Sequence, residues 1–166
     1  MSTAPSPPPP SETPKRWEGP RVDVTVDVVP FVKTKNQFKV LLGRKDIYKG
    51  WILIGGHLDP KKDRCFKDAA IRELKEETEL EVKIRDQLIY HGDHIVKDPR
   101  LTGTEDAIFT NLYSVEITES VANMAAAHDD LKEVKWFDAC EFVAALHPHH
   151  KPLGKVIFDY LFKPAI

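Results

Sequence analysis

Hydrophobic and polar positions alternate from Arg21 onward. Val22, Val24, Val26 and Val28 are separated by polar residues, a period of two that predicts a half-buried strand running to about Val32. Lys33-Thr34-Lys35-Asn36 is a polar turn, and Phe38-Lys39-Val40-Leu41-Leu42 reads as the returning strand of a hairpin. After Arg44-Lys45 and a loop at Tyr48-Lys49-Gly50, the unbroken apolar run Trp51-Ile52-Leu53-Ile54 predicts a buried strand ending in Gly55-Gly56. The period then lengthens. Ala69, Ala70, Ile71, Leu74 and Leu80 form the apolar stripe of an amphipathic helix. Further on, Leu80 to Ile84 and Leu88 to His91 read as short strands or strand-like turns, and Ala107 to Ile117 and Glu133 to Phe137 as strands. A helix is expected near Ala139 to Leu146 and a last amphipathic one over Leu153 to Phe162.

The predicted first helix carries the chemistry. It contains Arg72-Glu73-Leu74-Lys75-Glu76-Glu77, and side chains three and four positions apart on a helix lie together. Glu73, Glu76 and Glu77 therefore share a face, where their charges repel unless a cation joins them. A solvated charged face is the plain alternative, since Glu and Lys are good helix formers. The order strand, glycine pair, acid-rich helix favours a site, and hard oxygen donors of this kind suit Mg²⁺ or Mn²⁺ together with substrate phosphates.

Composition narrows the remainder. Met1 to Pro20, with Pro7 to Pro10 unbroken, cannot bury a core and predicts an extended, disordered arm, its end anchored by Trp17. Residues 21–166 are then one domain. No apolar run reaches membrane-spanning length and no secretory signal is evident, so the expected compartment is the cytoplasm. The formal net charge of −2 and the lack of a long basic stretch argue against a nucleic-acid surface and for a small-molecule partner. Cys65 and Cys140 are expected to be ordinary buried or half-buried thiols. His147, His149 and His150, interrupted by Pro148, read as a solvated loop.

At the acidic helix the chain resembles the Nudix hydrolase family, whose box is G-x5-E-x7-R-E-U-x-E-E-x-G-U, with U aliphatic. Arg72 to Leu80 fits every position except the late glycine, which is Glu79 here. Gly56 lies two residues too far upstream, Arg64 stands where the early glutamate belongs, and Ile54 replaces the usual proline before the glycines. An insertion around Asp59-Pro60-Lys61-Lys62-Asp63 accounts for the shift, and either Asp63 or Asp68 is available to replace the missing acid. Glu79 implies a different helix exit or a strain cost, because glycine there permits positive φ.

The resemblance implies an α/β/α sandwich with a mixed sheet, covering Val22 to about Leu161, and a metal-dependent pyrophosphohydrolase activity. Carried onto this chain, it gives Glu73, Glu76, Glu77 and the Gly56 carbonyl as metal ligands, with Glu73 orienting or deprotonating water and Arg72 holding it. Glu77 counts among the catalytic residues, and Gly55, Arg44 and Arg100 among those meeting the substrate. A late acid is open among Glu105, Asp106, Glu119, Asp129 and Asp130. The Thr25 to Val29 segment and Lys97-Asp98-Pro99-Arg100 resemble patches of the ADP-ribose pyrophosphatase-like branch, where a histidine often precedes the last helix. His149 or His150 corresponds. Tyr48, Trp51 and Phe109 are candidates to stack a base or to fill the core, and a homodimer is allowed. Three functions stay open: hydrolysis of a nucleoside diphosphate linked to another moiety, with ADP-ribose first; hydrolysis of a nucleoside triphosphate or nucleotide sugar; and a non-catalytic ligand sensor.

Overall fold

The computed structural model describes residues 17–83 and 85–163. Most of the expected Pro-rich arm thus lies outside the described residues. Strand β1 (Val22–Lys33) is the spine of a six-stranded mixed sheet that also contains β2 (Phe38–Arg44), β3 (Ile54–His57), β4 (Leu88–Val96), β5 (Ala107–Glu116) and β6 (Glu133–Asp138). The order is β4-β5-β1-β2-β6. One edge of β1 runs parallel to β5 from Val22/Ala107 to Phe31/Glu116. Its other edge is shared: Thr25 to Val28 pair antiparallel with β3, and Phe31 to Lys33 with β2.

Alternation along β1 sorts its side chains into two cores. Val26 and Val28 face helix α1 (Phe66–Thr78) and pack with Ala69, Ala70 and Leu74. Val29 and Phe31 face the other layer, made by α3 (Phe142–Ala145) and α4 (Lys151–Leu161), and pack with Phe142, Leu153 and Ile157. The short helix α2 (Glu119–Ala122) follows β5. Helices on both faces of a mixed sheet make the expected α/β/α sandwich. The expectation of a half-buried first strand is corrected, since Val26 to Val32 are buried throughout. Val29-Pro30-Phe31-Val32 breaks the alternation because a central strand is covered on both sides.

Other boundaries moved for local reasons. Trp51 to Ile54 is not one strand. Trp51 and Ile52 make isolated bridges to Leu146 and Gly43, and the strand proper begins at Ile54 and takes in both glycines. A Cβ on Gly55 would stand 2.1 Å from the Val26 carbonyl oxygen, so close backbone approach requires glycine there, and one on Gly56 would stand 2.5 Å from the Glu73 carboxylate and push that side chain aside. No strand forms over 80–83; Leu80 and Val82 are buried as loop residues beneath the sheet. The helix expected near Ala139 to Leu146 is only Phe142–Ala145, and Pro152 lies in the first turn of α4, where its missing N–H is not needed.

Three side-chain expectations are also corrected. Cys65 and Cys140 are both exposed. Trp17 is 78% exposed and donates its indole N–H to the Pro20 carbonyl, folding over its own segment instead of onto the domain. Helix α1 ends through Glu79 at φ 62°, its N–H bonded to the Lys75 carbonyl at 2.9 Å. The chain takes the exit a glycine would take and carries the strain of a side chain there.

Candidate active site

The loop that lengthens the box closes on itself. The Asp63 amide bonds to the Asp59 carbonyl at 2.8 Å, and the Asp63 carboxylate accepts from the Asp59 amide at 2.8 Å. This puts Asp63 against the first turns of α1, where its two oxygens accept from Arg72 Nε at 2.9 Å and Nη2 at 2.8 Å. Of the two acids left open by the sequence, the structure selects Asp63. Asp68 serves the helix start, accepting from the Arg64 amide and pairing with Arg85 at 2.5 Å. Arg64 points outward, its side chain 83% exposed.

Arg72 then holds the acids. Its Nη1 donates to Glu73 at 2.7 Å and to Glu76 at 2.8 Å, and Nη2 also donates to the His57 carbonyl at 2.9 Å. The Asp63 carboxyl is held below its usual range by the bonds from Arg72, while burial pushes Glu73 up against the pull of Arg72. Glu77, one turn further on, is nearly inaccessible. It accepts from the Gly55 amide at 3.1 Å and meets Lys45 Nζ at 2.8 Å. Burial raises its pKa to about 7 despite Lys45. Lys45 Nζ also lies 2.9 Å from Asp130. Burial works to lower the Lys45 pKa, but Glu77 and Asp130 outweigh it and the net shift is upward.

The three glutamates therefore do not depend on one added cation for neutralisation, as the helix pattern alone suggested. Arg72 and Lys45 divide them. Among the described residues no three His, Cys, Asp or Glu side chains converge as a ready ion cage. The donors nevertheless fit a hard divalent ion by type: carboxylates from Glu73, Glu76 and Glu77, with Gly56 in contact with Glu73.

A cleft opens beside these acids, lined by Asp27, Lys45, Gly55, Gly56, Arg100 and His150. Asp27 comes from the face of β1 opposite α1 and is 6% exposed. It accepts from Thr110 at 2.7 Å and lies 3.8 Å from His150 Nε2. Burial raises the Asp27 carboxyl to about 6. His150 accepts the Leu53 amide on Nδ1 at 2.9 Å, which fixes its proton on Nε2. Burial lowers His150 to about 3 and His149 to about 4, so both are neutral at pH 7. The solvated-loop expectation for these two histidines is thus corrected. They are buried where α4 begins.

Lys97 to Arg100 forms a tight turn in which buried Asp98 accepts from the Arg100 amide, from its guanidinium at 2.9 and 2.7 Å, and from Tyr48 Oη at 2.9 Å. Burial would raise the Asp98 pKa, but Arg100 and Tyr48 win and hold it well below the usual range. Tyr48 packs with His149, ring centroids 4.8 Å apart, and with the Arg100 guanidinium at 5.7 Å. Trp51 belongs to the core with Phe137, at 5.1 Å. Arg44 does not join the cleft: it pairs with Glu133 at 2.7 Å on the strand next door. Among the late acids, Asp130 reaches the site through Lys45, while Asp106 caps the Arg21 amide and Glu119 starts α2. Sequence reasoning gave Lys45, Asp27 and Asp98 no role of their own, although Asp27 and Asp98 stand in the two segments that resemble the ADP-ribose pyrophosphatase-like branch, and Asp27 is also a charged residue inside an apolar strand.

The chain belongs to the Nudix family: the NUDIX domain model matches residues 22–160. Family and fold together place it with the Nudix-type pyrophosphohydrolases. No curated protein matches its sequence. Among solved structures, it is similar to the NUDIX domain of Shewanella oneidensis NrtR complexed with ADP ribose, at 20% identity and TM-score 0.71, covering 91% of this chain and 94% of that one. It is 28% identical to a MutT/nudix family protein from Enterococcus faecalis, TM-score 0.61, with 76% of this chain aligned to 47% of that chain. A longer NrtR chain complexed with a 27mer DNA matches at 21% identity and TM-score 0.65, over 83% of this chain and 61% of that one. No helix among the described residues is long and apolar enough to cross a membrane.

Proposed function

We propose that this protein hydrolyses the pyrophosphate bridge of a nucleoside diphosphate linked to a second moiety, with ADP-ribose the first candidate and Mg²⁺ or Mn²⁺ as cofactor. The observation that carries the reading is Arg72, bound at once to Asp63, Glu73 and Glu76. A relocated acid does the work of the missing glutamate, so the departures from the box leave its central contact intact. The ADP ribose bound to the similar NrtR domain supports the substrate.

Glu73, Glu76, Glu77 and the Gly56 carbonyl would hold the ion, which supplies Lewis acidity and a bound water of lowered pKa. The chain's residues do the rest. Arg72 fixes the Glu73 carboxylate, whose burial-raised pKa suits it to take a proton from the attacking water. Lys45 and Arg100, both lining the cleft, meet the negative charge of the phosphates. Asp27 and His150 offer an acceptor and a donor to the polar groups beyond them. Arg44 has no part in this proposal.

The test is incubation with Mg²⁺ or Mn²⁺ and a panel of ADP-ribose, NADH, nucleotide sugars, dinucleoside polyphosphates and nucleoside triphosphates, with products identified by mass. Cleavage of ADP-ribose to AMP and ribose 5-phosphate is expected, falling by at least about a hundredfold in Glu77→Gln. A preference for triphosphates or nucleotide sugars would move the substrate, and full activity in Glu77→Gln would overturn the mechanism.

A second reading, a nucleotide-ligand sensor, is favoured by Lys45 standing between Glu77 and Asp130 where a catalytic cation would act. The DNA complex of NrtR supports the same reading. Binding of ADP-ribose without turnover of any compound in the panel would select it.

A further inference from the structure

The most buried carboxylate of the acidic helix is paired with a cation of the chain itself. Lys45 follows β2 directly, and its Nζ lies 2.8 Å from Glu77 Oε1 and 2.9 Å from Asp130 Oδ1. The two partners differ sharply: the Glu77 side chain is 2% exposed and that of Asp130 62%. Lys45 and Asp130 both line the cleft. One ammonium therefore bridges two seats at once, an inner one on buried Glu77 and an outer one on exposed Asp130.

We propose that Lys45 is a tethered counter-ion that competes with the divalent cation for Glu77, and that loading shifts its ammonium toward Asp130 and the cleft, where it faces the anionic substrate. This rests on the reading of Glu77 as a metal ligand. The physical basis is that one carboxylate cannot serve two close cations without their mutual repulsion weakening both. Without either cation, Glu77 keeps a single neutral donor, the Gly55 amide, for a buried charge. Lys45 thus stabilises the metal-free protein at the expense of metal affinity. Asp130, already in contact, keeps hold of the ammonium when it leaves Glu77, and the flexible lysine stem lets it swing outward without backbone change.

Two substitutions have opposite signs. Lys45→Met removes the competitor, so Mn²⁺ should bind about tenfold or more tightly. Its melting temperature should fall without metal and rise further on Mn²⁺ addition than in the unsubstituted protein. Asp130→Asn removes the outer seat, holds the ammonium on Glu77 and should weaken Mn²⁺ binding. In the Lys45→Met background Asp130→Asn should weaken Mn²⁺ binding less than it does alone, because only its direct coupling to Glu77 then remains.

The measurement is titration of free Mn²⁺ by electron paramagnetic resonance, without substrate, on the full chain and the three variants, with Glu77→Gln alongside. If Glu77→Gln leaves Mn²⁺ affinity unchanged, the metal-ligand reading fails and this proposal with it. If Glu77→Gln weakens binding while Lys45→Met does not tighten it, the counter-ion proposal alone fails. Should Lys45→Met not fold without metal, the exposed Asp130→Asn decides, and unchanged or tighter Mn²⁺ binding there overturns the proposal.

Discussion

The acidic helix and the cleft beside it are built on different scales. Along α1 and the loop before it, the contacts of Arg72 reach partners 1, 4, 9 and 15 residues away. The cleft joins residues 50 apart at Tyr48 and Asp98 and draws on pairs 83 apart at Thr110 and Asp27 and 97 apart at Leu53 and His150. A cluster made of near neighbours tolerates an inserted loop, because another acid a few residues away can take the vacated role. A cleft made of distant segments depends on the sheet: the parallel register that sets Asp27 against Leu112 also brings Thr110 to it.

The largest effect is expected at the acidic helix. Arg72→Ala leaves Asp63, whose side chain is 1% exposed, without its partner, and should cost about 3–5 kcal/mol of stability in urea unfolding. Asp68→Asn, with its carboxylate at the helix start, should cost far less. Equal losses would break the assignment of Asp63 as the replacement acid.

Asp27→Asn probes the cleft through pH. Burial raises the Asp27 carboxyl from 3.8 to about 6, so its protonated form is favoured in the folded state. Its contribution to stability is present below its unfolded pKa and is lost as pH rises through about 6. Asparagine keeps an acceptor for Thr110 without the buried charge. The variant should therefore gain on the order of 2 kcal/mol at pH 8 and almost nothing at pH 4, while binding ADP-ribose more weakly. His149 and His150 lose their contribution as pH falls from 6.5 toward 4 and 3, and without the Asp27 charge His149 is held lower still. Urea midpoints at the two pH values measure the gain, and one of equal size at both would show that Asp27 is not carrying a buried charge.

The smallest effect lies at the end of α1. Glu79→Gly relieves a side chain at φ 62° and should stabilise by about 1 kcal/mol with no change in substrate preference. A loss of stability would mean that the Glu79 side chain contributes more than its backbone costs.

The legible part of the molecule follows the same division. The β1–β2 hairpin, the glycine pair, the acidic helix and the last helix were readable because each depends on periodicity or on contacts within a few turns. Arg72, Glu73, Glu76 and Glu77 could be named from their spacing. The choice of Asp63 over Asp68 could not, since it depends on how the inserted loop folds back. Arg44 and Lys45 show the limit plainly. They are adjacent and alike in sequence, yet strand geometry sends Arg44 to Glu133 and Lys45 to Glu77.

The sequence by itself determined the main strands and helices and the helix face on which the acids stand, because hydrophobic period and helical spacing are local properties of the chain, while the sandwich was what the family resemblance implied. Only the tertiary structure decided which cations hold those acids, which histidines are buried and neutral, and that Asp27 and Asp98 line the cleft. Those are matters of burial and of long-range pairing, and both exist only once the sheet has brought distant segments together.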